Sequence, residues 1–250
     1  MSALHPSTQA EQVGRLVLAA ALVVMVPQLP LGNYLLYPFT ILTTWFHEMG
    51  HGLTALLLGY EFERLVILAD GSGVAETYSY GQPGAFSRAL VAAGGPLGPT
   101  IAGALLILAT RSHKLWRPAL LALAGVIALS VLIWVRSFVG VTVLPLVALG
   151  LAAIALRGKD GLVRFSLQFV GLLGALSMLR DWHYLFSEGA TIAGRPMLSD
   201  TEAIEQALFL PHWLWAALII ALSALIVGAA LKFALAEDGS PALLHKTRSQ

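Results

Sequence analysis

Apolar residues arrive in this chain in blocks too long for the core of a soluble domain. Six or seven candidate spans can be drawn, at roughly 14–30, 34–58, 86–110, 115–135, 138–156, 162–186 and 208–235. A helix needs about 20 predominantly apolar residues to cross the hydrocarbon core of a bilayer. The expected fold class is therefore all-α, a polytopic membrane helical bundle. Composition agrees: 57% of the 250 residues are hydrophobic, 12% are charged and the mean hydropathy is +0.77. A soluble chain carries about twice that charged fraction. The net charge of +1 gives no pull toward nucleic acid. Cysteine is absent, so any metal must be held by His, Asp or Glu.

The polar segments punctuate this pattern. Met1 to Gln12 precedes an apolar run read as an uncleaved span, since a second apolar run follows at once. Pro27, Pro30 and Gly32 separate the first two spans, and only Arg136 and Ser137 separate 115–135 from 138–156. Glu61 to Phe86 reads as a small β-hairpin beside the membrane, with a β-prone run, an Asp70-Gly71-Ser72-Gly73 turn and a return from Val74 to Tyr80. Ser187 to Gln206 reads as a loop with Gly189, Gly194 and Pro196. Residues 1–236 are expected to form one membrane-embedded domain, and 237–250 a polar tail. With seven spans, one side holds Arg15, Arg64, Arg88, Arg136, Arg180 and Arg195. The other holds Arg111, Lys114, Arg117, Arg157, Lys159, Arg164, Lys232, Lys246 and Arg248. The positive-inside rule makes the second side cytoplasmic. An even number of spans separates the segments at 59–85 and 187–207, so both should face the same side.

The chemistry is concentrated in Trp45-Phe46-His47-Glu48-Met49-Gly50-His51-Gly52, inside the second apolar run. On a helix His47 and His51 stack one turn apart, so both imidazoles can reach one zinc ion. Glu48 beside them is placed to deprotonate a water, the division of labour in HExxH hydrolases. Two His and a Glu within an apolar span are costly unless partnered. The bland alternative is a trio of satisfied polar residues lining a helix contact. A catalytic zinc takes a third protein ligand. Thr54 and Leu57 stand where a metzincin would have its glycine and third His. Glu76, Asp181 and Asp200 are the acids to consider.

Four segments together resemble the site-2 protease family, and more closely its compact bacterial and plant-type branch. They are His47-Glu48-Met49-Gly50-His51, Ala93-Gly94-Gly95-Pro96-Leu97-Gly98-Pro99, Asp181-Trp182-His183-Tyr184 and Ser199-Asp200-Thr201-Glu202-Ala203. The resemblance runs from about Tyr37 to Leu214. It implies zinc, proteolysis within or beside the bilayer, and Asp181 as third ligand. Better-known members carry Asn-x-x-Pro and Leu-Asp-Gly signatures where this chain has Leu179-Arg180-Asp181-Trp182. Position favours the same acid: Asp181 follows a long apolar run, whereas Asp200 and Glu76 lie in polar stretches. A hydrogen bond from Asp181 to a ligand His is the nearest competing role.

Gly94, Gly95 and Pro96 are expected to contact substrate, as part of a broken segment that the prolines impose beside the active helix. A plain small-residue packing face is the alternative. The hairpin could take up a substrate strand by edge pairing. His183, with Trp182 and Tyr184, suits an aromatic belt at the interface. His5, His113, His212 and His245 carry no expected role. The function expected is hydrolysis of membrane-spanning or membrane-adjacent protein substrates by a zinc metalloprotease. Its location is expected to be multi-pass in the bilayer, in a bacterial inner (plasma) membrane. A zinc-binding structural or regulatory membrane protein is the runner-up, and an ion transporter a further one.

Overall fold

A computed structural model of the chain describes residues 9–180, 182–192 and 194–236. Nine helices and two β-hairpins occur among them, in the order α1 (Gln9–Met25), α2 (Gly32–Leu57), β1 (Glu61–Ile67), β2 (Gly73–Tyr78), α3 (Ala85–Ala109), α4 (His113–Ile133), α5 (Phe138–Arg157), α6 (Asp160–Arg180), α7 (Trp182–Leu185), β3 (Gly189–Ile192), β4 (Arg195–Leu198), α8 (Asp200–Ala207) and α9 (His212–Leu235). Five helical runs are each long and apolar enough to cross a membrane: α3, α4, α5, α6 continued through α7, and α9. The first two apolar runs pass that test together but bend by 120° at their junction. The bend is local chemistry. Pro27 opens a short 3-10 turn, Leu31 sits at φ 64°, and a side chain at Gly32 would collide with the Val26 carbonyl. Only glycine fits there.

α3 is the central helix, packing on α2, α6, α8 and α9. Its contact with α2 is made by glycines. A Cβ on Gly98 would lie 2.7 Å from the Phe46 carbonyl oxygen, and one on Gly94 would lie 2.7 Å from that of Gly50. Close backbone approach is how helices associate where lipid removes the hydrophobic drive. The expected break at the Gly-Pro motif does not occur. α3 runs unbroken through Pro96 and Pro99, so the motif provides a packing face rather than an interruption. Proline inside a membrane helix is tolerated where neighbours and local adjustment absorb the lost bond.

The first hairpin forms where expected. Its turn closes through Asp70, whose Oδ1 accepts from the Ser72 N–H at 2.9 Å and the Ser72 hydroxyl at 2.7 Å, with Gly71 at φ 89°. The strands run back along α2. Gly52 leaves room for the Phe62 ring, Thr44 Oγ1 donates to the Gly71 carbonyl at 2.5 Å, and Tyr37 Oη donates to that of Ala69 at 3.0 Å. On its other side β1 pairs with the α4–α5 turn: Leu65 N–H donates to Trp134 O at 2.8 Å and Arg136 N–H to Leu65 O at 2.9 Å. Phe62 stacks on Trp134 with ring centroids 5.0 Å apart. β1 therefore has both edges paired, while β2 is paired only with β1 among the described residues.

The expected loop at 187–206 is instead structured. β3 and β4 form a second hairpin, turned through Gly194 at φ 74°, and α8 follows directly. Ser199 caps α8 by accepting from the Glu202 N–H. That is the first half of an S-x-x-E box, present in the sequence as Ser199-Asp200-Thr201-Glu202. Four spanning helices separate the two hairpins, and both line the same cavity, so they share one end of the bundle as expected.

Candidate metal centre

One face of α2 builds half of the site. Trp45 and Met49 turn into the core, and His47, Glu48 and His51 turn toward the hairpins and α8. The two imidazoles meet with Nε2 atoms 3.2 Å apart. Asp200, the first residue of α8, completes the group: Oδ2 lies 3.1 Å from His47 Nε2, and Oδ1 lies 3.2 Å from His51 Nε2. All three offer ligand atoms within 4.8 Å of one another.

The surroundings suit a cation. His51 Nδ1 lies 2.7 Å from the Val91 carbonyl, which it can only satisfy as a donor, so Nε2 keeps its lone pair for a metal. Asp200 Oδ2 is buried and accepts no hydrogen bond although His47 Nε2 is close. Gly95 explains part of the glycine motif. A side chain there would fall on the His51 ring and lie 2.7 Å from His47 Nε2. Glu48 is buried beside the pair without joining it. β2 lies against its carboxylate: Ala75 lines the same cavity, and a Cβ on Gly73 would lie 2.8 Å from its Oε1.

A cavity of about 330 Å³ opens over these groups, walled by β2, the first turns of α3, Tyr184 and the second hairpin. A smaller one of about 230 Å³ adjoins it between the two hairpins, beside Thr44, His47 and Glu48.

Of the site residues expected from sequence, His47, Glu48 and His51 come together. Asp181 lies outside the described residues. Glu76 is engaged elsewhere, in a two-pronged ion pair with Arg64 at 2.7 and 2.9 Å. The carboxylate that sequence reasoning passed over is Asp200, read as a solvated loop residue. It is 7% exposed and fixed at a helix start. α8 is itself tied down. Thr201 Oγ1 donates to Leu185 O at 2.6 Å, and Ser199 Oγ donates to Ser187 O at 2.5 Å. Glu205 accepts from the His212 N–H at 2.5 Å, joining α8 to the start of α9.

A family model described as Peptidase M50B-like matches residues 15–230. The chain belongs to the M50B-like peptidases. The match spans α2 with its HExxH pair, the glycine motif and Asp200, and it bears out the resemblance to the site-2 proteases at the level of the family. No curated protein and no solved structure matches the chain. An M50B-like peptidase is a membrane metallopeptidase, and its apolar helices make this chain an integral membrane protein.

Proposed function

We propose that the chain is an intramembrane zinc endopeptidase in which His47, His51 and Asp200 hold the metal and Glu48 is the general base. The observation that carries the reading is the convergence of two Nε2 atoms and a buried carboxylate on one point, with a second carboxylate adjacent but outside the set. A purely structural metal site has no use for Glu48. Zinc held there supplies polarisation of the scissile carbonyl and lowers the pKa of a water. Glu48 takes the proton from the attacking water and returns it to the leaving amine. The Val91 carbonyl holds the His51 ring in the tautomer this needs, and Gly95 leaves both rings room.

A peptide must be extended to be cut, and β2 offers an open edge along the cavity wall. A substrate strand entering between β2 and the second hairpin would pair with Gly73–Tyr78 and present a carbonyl over Glu48. The substrates are membrane-spanning or membrane-adjacent proteins, locally unwound, and the enzyme groups with the compact bacterial and plant-type branch in a bacterial inner membrane.

Glu48→Gln should keep one zinc per chain and lose turnover by roughly 10²–10⁴-fold, the usual worth of a general base. Turnover within about tenfold of the parent would remove that role. Asp200→Ala should lose zinc, whereas Asp181→Ala should retain it. The reverse pattern would return the third ligand to Asp181.

A further inference from the structure

Two arginines near the hairpins are spent inside the fold. Arg64 is held in its two-pronged pair with Glu76, and Arg136 donates to the Val135 and Ile133 carbonyls at 2.8 and 2.6 Å. Arg88 is different. It lies in the first turns of α3, is exposed, and makes no ion pair or side-chain hydrogen bond among the described residues. It also lines the cavity of about 330 Å³ over His47, Glu48 and His51. No other lysine or arginine among the described residues lines that cavity or the smaller one beside it.

The helix sets its distance from the chemistry. Val91 lies one turn further along the same face of α3, and its carbonyl is 2.7 Å from His51 Nδ1. α3 rises about 4.5 Å between the two positions, and helical side chains lean toward the N-terminus. The Arg88 guanidinium therefore stands on the cavity wall beyond His51, toward the start of α3. Glu48 and Asp200, the carboxylates that line the cavity, are buried among the imidazoles and do not neutralise it. Tyr60, Thr77, Tyr78 and Ser79 complete the wall and are uncharged. They offer a strand polar and apolar contact but do not distinguish charge. A guanidinium does: its fork of donors matches a carboxylate and repels a lysine.

We propose that Arg88 is a specificity residue, resting on the endopeptidase reading of the same cavity, and that it selects substrate strands carrying an aspartate or glutamate near the scissile bond. A strand advances about 3.3 Å per residue, so the acid falls roughly two to three residues from the cut. Arg88 touches the substrate and not the metal. It governs which strand is held rather than the step that cleaves it.

Binding separates this selection from turnover. Glu48→Gln protein is titrated into a rhodamine-labelled decapeptide of alternating threonine and valine with one central aspartate, and into its asparagine and lysine counterparts. The alternating pattern lets the strand slide by two residues and keep its face, so the acid can meet Arg88. Fluorescence anisotropy should show the aspartate peptide bound about fivefold more tightly than the asparagine peptide, with the lysine peptide weakest. That factor is a charge-assisted hydrogen bond discounted for an exposed partner. Arg88→Gln in the same background should bind the aspartate and asparagine peptides alike, and Arg88→Glu should prefer lysine. No preference for aspartate with Arg88 present, absence of binding included, overturns the assignment. A preference that survives Arg88→Gln does the same. With Glu48 in place, cut sites in dephosphorylated β-casein should carry Asp or Glu at the same offset, and Arg88→Glu should move them to Lys or Arg. Casein cut without regard to charge overturns this assignment and keeps the protease reading. Selective binding of the acidic peptide with no cleavage of casein does the reverse.

Discussion

Gly95 shows how a single missing side chain can make room for the proposed metal site. Two imidazoles one helical turn apart need an empty wall opposite them, and α3 packs so tightly on α2 that only a glycine provides it. Gly95→Ala should therefore displace one ring or spread the two helices. Metal affinity is expected to fall about 10–100-fold, as when a ligand loses its orienting neighbours. Gly125→Ala on α4, where a Cβ meets nothing within 4 Å, should leave affinity at the parent value. Gly95→Ala with parental affinity, measured by chelator competition, would show that the rings have room to spare. The His pair and Glu48 were legible from spacing alone, because a helix fixes which residues share a face. Asp200 was not. Its place among polar residues suggested a solvated loop, and burial comes from what folds over it. The readable signal was the S-x-x-E box, which marks Asp200 as the first residue of a helix and so gives it a fixed direction.

At the level of elements, the apolar runs located the spanning helices well, since length and hydropathy are the properties a bilayer selects. What they could not show was the 120° bend between α1 and α2, or that α3 would pass intact through two prolines. Both depend on neighbours that compensate lost hydrogen bonds. The second hairpin escaped notice because its strands have only four residues each and no strong alternation. Its partner α8 carries Asp200, the proposed third ligand, on eight residues too few to be stable alone. Thr201 supplies the anchor, a buried hydroxyl bonded to the Leu185 carbonyl. Thr201→Val keeps the shape and deletes that bond, leaving the carbonyl unsatisfied at a cost of about 1–3 kcal/mol. Metal affinity should drop with it by about tenfold or more, while Thr201→Ser, which retains the hydroxyl, should restore most of it. Equal affinity for Thr201→Val and the parent would mean that Ser199 and Glu205 hold α8 unaided.

Across the whole molecule, the proposed metal-binding group straddles two cores, with His47 and His51 on α2 of the main core and Asp200 on α8 outside it. The largest buried cluster joins α2, β1, α3, α4, α5 and α6, with Leu42, Leu65, Leu120, Ile127 and Leu144 fully enclosed. α8 belongs to a smaller cluster, in which Ile204 and Ala207 pack on Ala89, Leu185, Ala216 and Ile219. A ligand stabilises whatever element must be in place to bind it, and the element with the least core of its own is α8 with its hairpin. Metal removal should therefore loosen residues 187–207 and leave the bundle folded, unlike small metal domains that unfold outright without their ion. Hydrogen exchange read by mass spectrometry, with and without chelator, separates the two cases. Faster exchange confined to β3, β4 and α8, with α4 and α5 equally protected in both states, is the expected pattern. Loss of protection across α4 and α5 together would mean that the metal supports the bundle itself, and that Asp200 is as much a keystone of the fold as a ligand.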